Sequence, residues 1–209
     1  MSNTPCRLYL IRHAESEGNV RGIAQGQADY PLTENGISQA TLRAHNLKDV
    51  SFAAAFSSDL SRAQQTAEII AAEHELVVTS SELLRERNFG RYNGASEDAL
   101  ITELKALLDE QQELIKAGKP EVPHPDLETT DTMVSRVFRF LREVALAYQG
   151  QNVLVVSHSN VMRNVLVRLG FAEHHELGSG VLANTCYVVL ESDGVEFSIA
   201  ETCDVQMEQ

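Results

Sequence analysis

The chain has 209 residues, 43% of them hydrophobic and 22% charged, with a formal net charge of −13, a composition that suits one sizeable hydrophobic core. The acidity argues against a nucleic-acid partner, because phosphate backbones reward a basic face. It opposes a small anionic ligand only weakly, because fields beyond about 8 Å are largely screened and a local arginine cluster decides. No apolar run approaches the roughly 18 residues of a membrane span, and Met1-Ser2-Asn3-Thr4-Pro5 lacks the charged-then-apolar pattern of a signal peptide, so a cytoplasmic protein without membrane association is expected. Cys6, Cys186 and Cys203 are odd in number and lack metal-ligand spacing, which reads as free thiols.

The first predicted element is a buried strand, Leu8-Tyr9-Leu10-Ile11, that ends abruptly in Arg12-His13 and is followed by a turn at Gly18-Asn19. A guanidinium beside an imidazole that is neutral near pH 7 suits an anion held by one and a nucleophile or proton carrier in the other. The loop from Val20 to Pro31 carries Gln25-Gly26-Gln27, whose glycine permits close backbone approach and whose amides would hydrogen-bond a substrate. Thr33 then caps a helix to about Leu47, with Ile37, Ala40, Ala44 and Leu47 at helical spacing.

Ala53 to Phe56 is a second short strand, ending in Ser57-Ser58-Asp59. The helix after it starts near Ser61, where Ser61 and Gln64 make a capping box, and runs to about Glu73. Arg62 in its first turn opposes the helix macrodipole, an arrangement that makes sense beside a bound anion; alone, such a residue is an ordinary surface arginine. Leu76 to Thr79 reads as a third strand and Glu82 to Gly90 as irregular chain. Ser96 to Gly118 reads as a long helix with Leu100, Leu104, Leu107, Leu108 and Leu114 on one side, and Pro120, Pro123 and Pro125 exclude helix after it. A further helix opens at Asp131 or Thr132. Asn152 to Val156 is the most strand-like run and delivers Ser157-His158-Ser159-Asn160, which lead into a helix to Leu169; Thr185–Leu190 and Val195–Ile199 flank Ser192-Asp193-Gly194 as a hairpin.

Strands alternating with helices predict a doubly wound, three-layer α/β/α fold with a mostly parallel sheet and an antiparallel edge. We expect a single domain over residues 1–209, with a small helical cap inserted at about residues 88–130 and setting substrate choice. The carboxyl ends of parallel strands share one rim, so Arg12, His13, the segment Ser57 to Arg62, and His158 converge there. Two imidazoles and two guanidiniums describe a site for a tetrahedral dianion. A metal is not expected, because no third ligand has suitable spacing and the arginines repel a cation; no cofactor is called for either.

Five ordered blocks carry a resemblance: Arg12-His13 with Glu15-Ser16 and Asn19; Gln25-Gly26 with Pro31-Leu32-Thr33 and Gly36; Ser58-Asp59-Leu60 with Arg62-Ala63 and Gln65-Thr66-Ala67; Leu84-Arg85-Glu86 with Phe89-Gly90 and Gly94; and Val156-Ser157-His158. In these the chain resembles the histidine phosphatase superfamily, also called the phosphoglycerate mutase-like family. The resemblance implies that His13 is a nucleophile that becomes phosphorylated and that Arg12, Arg62 and His158 surround the phosphoryl oxygens. It further implies a contact from Asn19 and a proton from Glu86 to the leaving oxygen. His13 must be neutral to attack, His158 is more useful protonated, and Glu86 must start protonated, which burial or a nearby phosphate dianion favours.

Departures are as informative. Ser159-Asn160 follows the second histidine where the family often has glycines, so the Ser159 hydroxyl becomes a candidate substrate contact. Asn88-Phe89 stands where the mutases usually have a histidine-tyrosine pair, and the long mutase insertion is missing, which favours hydrolysis over transfer. The expected activity is metal-independent hydrolysis of a small phosphomonoester, such as a sugar phosphate or bisphosphate. The alternatives are mutase-type transfer and a non-catalytic phospho-ligand or protein-binding relative. Oligomeric state is left open, a homodimer included. His45, His74, His124, His174 and His175 have no motif support; His45 and His74 read as helix-surface residues, and His124 falls in the expected cap, where a substrate contact is the minor reading.

Overall fold

The computed structural model describes residues 4–119, 122, 124–178 and 180–206 and, within them, the side chains of all but residues 105, 106, 108, 112 and 115. In chain order the elements are β1 (Cys6–Arg12), α1 (Glu17–Val20), β2 (Ile23–Ala24), α2 (Glu34–Leu47), β3 (Phe52–Ser57), α3 (Ser61–Ala72), β4 (Val78–Ser80), β5 (Ala95–Ser96), α4 (Glu97–Lys116), α5 (Thr130–Ala147), β6 (Asn152–Ser157), α6 (Ser159–Arg168), β7 (Leu182–Ser192) and β8 (Phe197–Val205). Short 3-10 turns at Glu82–Leu84 and Gly90–Tyr92 join β4 to β5.

The main sheet has the order β4-β3-β6-β1-β7-β8, parallel from β4 through β1 and antiparallel at β7 and β8. Side chains along a strand alternate between its faces, so each central strand feeds two cores. Leu8, Leu10, Val153 and Val155 meet Val137, Leu141, Met162 and Val165 from α5 and α6 on one face. Tyr9, Ile11, Leu154 and Val156 meet Ala44, Leu47, Ala67 and Ile70 from α2 and α3 on the other. The expected three-layer fold is the one observed.

Details depart from the periodic reading wherever a distant partner intervenes. The capping box of Ser61 with Gln64 does not form. Instead the Ser61 amide donates to Asp29 Oδ1 at 2.8 Å and the Ser61 hydroxyl donates to Asp29 Oδ2, while Gln64 turns outward to Glu68. A carboxylate from the early loop thus takes the place of a local cap, because it satisfies the orphan donors with a charge-assisted bond. The third parallel strand begins only at Val78, since Glu75 takes φ 56° and Val77 is left 88% exposed. Residues 17–24 are not a plain loop: α1 carries a reciprocal cap between Ser16 and Asn19, and β2 pairs antiparallel with β5, Ile23 opposite Ser96 and Ala24 opposite Ala95. That pairing reaches into the segment expected to be a cap.

Within that segment Leu100 and Leu104 of α4 are buried with Ala24 and Tyr92, and Phe89, Leu107 and Leu127 pack against them. Pro120, Pro123 and the Leu108 side chain lie outside the described residues. Helix α5 starts one residue earlier than expected because Thr129 caps it through Thr132 N at 3.2 Å. The hairpin strands are longer than their apolar cores, and a register irregularity separates Val189 from Leu190. Among the described residues no helix is long and apolar enough to cross a membrane.

Candidate active site

β1 and β6 are neighbours in register, with Arg12 opposite Ser157, and the His13 amide donates to Ser157 O at 3.0 Å. Both strands stop there, so the next side chains, His13 and His158, stand side by side with ring centroids 5.3 Å apart and planes at 60°. The packing of two parallel strands therefore places the histidines with no help from the loops.

His13 is 3% exposed, and its Nδ1 lies 2.7 Å from Ala14 O. A carbonyl only accepts, so Nδ1 carries the proton and Nε2 keeps a lone pair. Burial first, then the Arg62 and Arg12 charges, hold the His13 imidazole well below its ordinary range, so it is neutral at pH 7. His158 is fully buried and has no hydrogen-bond partner on either ring nitrogen among the described residues. It too is pushed well down, by burial and then by Arg62, His13, Arg136 and Arg12. The two rings were expected to sit in electrostatically different surroundings. Both are instead depressed by burial and by Arg62 and Arg12; His13 and Arg136 add to the effect on His158 alone, and only His13 has the bond to Ala14 O. A dianion placed between them would reverse the electrostatic sign for the unanchored ring.

Arg12 donates through Nη1 to Leu182 O, and burial lowers its guanidinium below its ordinary value. Arg62, on the first turn of α3, is only 1% exposed. Nη2 donates to Gly26 O at 2.7 Å and Nη1 to Ala28 O at 3.0 Å. Burial brings it down to about 10, still cationic at neutral pH. Neither guanidinium makes an ion pair among the described residues, so each keeps its charge for a ligand. Gly26 is at φ 50°, and a Cβ there would lie 2.1 Å from Asn93 Oδ1, so only glycine lets its carbonyl reach Arg62.

Glu86 is 5% exposed. Its Oε1 accepts from Arg87 N at 2.7 Å, and its Oε2 accepts from Asn160 N at 3.1 Å and from the Ser159 hydroxyl at 3.4 Å. The segment that carries it is clamped by Arg136 of α5, which donates to Leu83 O at 2.8 Å, Arg85 O at 2.7 Å and Glu86 O at 3.0 Å. Arg136 also makes a forked pair with Glu128, at 2.7 and 2.9 Å. Asn19 turns Oδ1 to Ser16 N (3.0 Å) and Ser16 Oγ (2.9 Å), and no described bond uses its Nδ2. Gln25 accepts from Ser16 Oγ at 2.9 Å. A cleft of about 340 Å³ is lined by Arg12, His13, Asn19, Gln25, Gly26, Arg62, Glu86 and Ser159, and on its other side by Phe89, Leu100, Ile101, Leu104 and Leu127. Among the described residues no three His, Cys, Asp or Glu side chains cluster as a metal site.

A family model described as histidine phosphatase superfamily, branch 1, matches residues 8–205. The chain belongs to the histidine phosphatase superfamily. Within the family, the adenosylcobalamin/alpha-ribazole phosphatase of Escherichia coli K12 is 33% identical over 166 residues, 78% of each chain. A 2,3-bisphosphoglycerate-dependent phosphoglycerate mutase of Parvibaculum lavamentivorans is 28% identical over 196 residues, 90% of this chain and 91% of that one. The crystal structure of a phosphoglycerate mutase from Bacillus anthracis superposes with a TM-score of 0.81 at 26% identity, covering 97% of this chain and 94% of that one. This is an enzyme of the histidine phosphatase type, with phosphatases and mutases among its relatives.

Of the residues singled out from the sequence, Arg12, His13, Asn19, Gln25, Gly26, Arg62, Glu86 and Ser159 line one cleft of this family member, and His158, buried beside His13, is not among its lining residues. Gln25 and Gly26 are tied up by Ser16 and Arg62, so the first serves the wall and the second offers backbone. Ser159 reaches Glu86. His124 is outside the cleft: its Nδ1 accepts from Asp126 N at 3.1 Å within a tight bridge to Leu127. His74 follows α3 rather than standing on its surface, and it packs edge-on against Phe52 at 4.9 Å, while His45 is exposed as expected. Sequence reasoning missed Arg136, Glu128, Asn160, Arg163 and His174. Only Asn160 had a local signal, since the residue after a helix-opening serine offers a free amide.

Proposed function

We propose that the protein is a phosphomonoesterase that acts on a small phosphorylated metabolite through a phosphohistidine at His13 Nε2. What carries the reading is the bond from His13 Nδ1 to Ala14 O, which fixes the tautomer and leaves the Nε2 lone pair as the free nucleophile beside two unpaired guanidiniums. In the first step Nε2 forms a bond to phosphorus as the ester P–O bond breaks, and the leaving oxygen takes a proton from Glu86. In the second, Glu86 takes a proton from water as its oxygen attacks phosphorus, and the N–P bond breaks to release phosphate. Arg12 and Arg62 hold the equatorial oxygens, where charge spreads in the transition state, and His158 accepts a proton when the dianion arrives. Asn19 Nδ2 adds a neutral donor.

In this reading residues 88–130 act as a cap over one domain, presenting an apolar wall to the alcohol and so selecting it. Mutase-type transfer uses the same first step and differs in its acceptor. The test is phosphate release from a panel of phosphomonoesters by chelator-treated protein. Turnover without added metal, an acid-labile phosphoryl label on the protein, and a loss of roughly 10⁴-fold or more in His13→Ala are expected. Phosphate release that survives His13→Ala overturns the reading, and isomerised ester without free phosphate replaces it by the mutase.

A further inference from the structure

Three arginines in the cleft share a property that sets them apart. Arg12, Arg62 and Arg163 are held by backbone carbonyls rather than by carboxylates and keep a buried Nε without a hydrogen-bond partner among the described residues, Arg62 being buried throughout and the other two half-buried. Arg43, Arg85 and Arg136 are each neutralised by Asp or Glu. The first two have a task in the phosphoryl site. Arg163 has none, and its only described bond runs from Nη2 to Gly178 O at 3.2 Å. A guanidinium with a buried Nε and no ion pair among the described residues is costly; the carboxylate whose charge acts on it, Glu86, is bonded instead to Ser159 and Asn160.

Its place along the wall shows which part of a substrate it meets. Ser159, Asn160 and Arg163 are three and four residues apart on α6 and so share a helix face. The first two hold Glu86, which is assigned to the leaving oxygen, and Arg163 stands one turn further along. The charges that act on it are Glu86 first and then Arg12, so it stands on the Glu86 side of the cleft, beside the position assigned to the leaving oxygen. His174 lines the same corner, and burial first, then Arg163 and Arg87, push its imidazole down. The cleft's other carboxylate, Glu97, acts on Arg12 and not on these two.

We propose that Arg163, with His174 beside it, is a second oxyanion position, and that the substrate's leaving alcohol carries a carboxylate or a second phosphate. This rests on the phosphomonoesterase reading and narrows it to a substrate class. The shared chemistry is an oxyanion accepting guanidinium N–H donors while the ester phosphate sits between Arg12 and Arg62.

The experiment compares three matched esters, n-propyl phosphate, 3-(phosphonooxy)propanoate and propane-1,3-diyl bisphosphate, in the native protein and in Arg163→Gln and Arg163→Lys. Native kcat/KM is expected to be ~10-fold or more higher for one or both doubly anionic esters, and which of the two is preferred separates carboxylate from phosphate. Arg163→Gln is expected to erase that preference while costing at most about threefold on propyl phosphate, and Arg163→Lys to restore part of it. Equal kcat/KM for all three esters, or an equal loss on all three in Arg163→Gln, overturns the proposal and leaves Arg163 as a tether for the loop at Gly178. Calorimetric binding of the same compounds separates the two readings: if no ester is turned over, the phosphomonoesterase reading fails alone when the native protein still binds the doubly anionic compounds more tightly in an Arg163-dependent way. Without that preference both fail.

Discussion

The two walls of the cleft are built by different physics. On the sheet side the groups proposed to act at phosphorus are fixed by backbone: His13 by Ala14 O and the β1–β6 register, Arg12 by Leu182 O, and Arg62 by the carbonyls of Gly26 and Ala28. On the cap side the surface is Phe89, Leu100, Ile101, Leu104 and Leu127, tied to the rest by a two-residue strand pair and the Arg136–Glu128 fork. Directional bonds hold position to fractions of an ångström, whereas apolar contacts set shape with little penalty for small shifts. In the proposed reading this difference divides chemistry from selectivity: the charged groups stand on the side held by directional bonds, and the apolar side would meet the variable part of a substrate.

Arg62→Ala breaks the comparison at its strongest point. It removes a buried cation whose two bonds organise the early loop, and a loss of roughly 10²–10³-fold in kcat is expected, with a much smaller change in KM for esters of different alcohols. Steady-state kinetics on two esters with unlike leaving groups checks this. A loss confined to KM would move Arg62 from the reacting phosphoryl group to ground-state binding.

Glu86 lies where the two walls meet, so its perturbation sharpens the boundary. Glu86→Gln is expected to cost roughly 10²-fold on an alkyl phosphate and far less on 4-nitrophenyl phosphate, whose leaving group needs no proton. Arg136→Lys keeps the charge and loses the fork to the carbonyls of Leu83, Arg85 and Glu86. It should reproduce the same leaving-group dependence at smaller size, about 10-fold. Equal losses for both esters would remove Glu86 from proton transfer and reduce Arg136 to a structural brace.

The smallest effect concerns stability. His13, His158 and His174 all sit below the ordinary histidine value, His174 at about 4, with burial as the first cause. The unfolded chain then binds more protons than the native one at mildly acidic pH. Their contribution is fully present above about 6.5 and is lost as pH falls through and below that value toward the folded values. Asp59 and Asp193 are held below their own ordinary values, so their share is lost lower still. Thermal unfolding between pH 7.5 and 4.5 should show Tm falling by several degrees below pH 6.5, and His158→Gln should flatten that slope. A slope unchanged in the variant would show that His158 is not neutral and buried.

Much of the sheet side was legible in the sequence, because its signal is local. Leu8 to Ile11, Ala53 to Phe56 and Asn152 to Val156 are apolar runs cut off by polar residues, and parallel packing alone brings those ends together. The cap side was legible only as a helix and a proline-rich stretch. β2 and β5 have two residues each and exist because Ile23 and Ala24 find partners some seventy positions away, which no periodicity encodes. The substitution of Asp29 for a local cap at Ser61, and the service of Arg136 to Glu86, are likewise long-range choices between charged groups. Arg163 gave no signal at all, since a lone arginine within a helix looks the same whether it faces water or a buried corner.

Gly94 N donates to Ala24 O at 3.0 Å, Glu97 N to Gly22 O at 2.9 Å, and Asn93 Oδ1 accepts at 3.0 Å from the amide of Gln27, the residue next to Gly26, whose carbonyl holds Arg62. In the proposed reading, a shift of residues 88–130 would therefore be felt at the carbonyl that holds Arg62, through the bond from Gln27 N to Asn93.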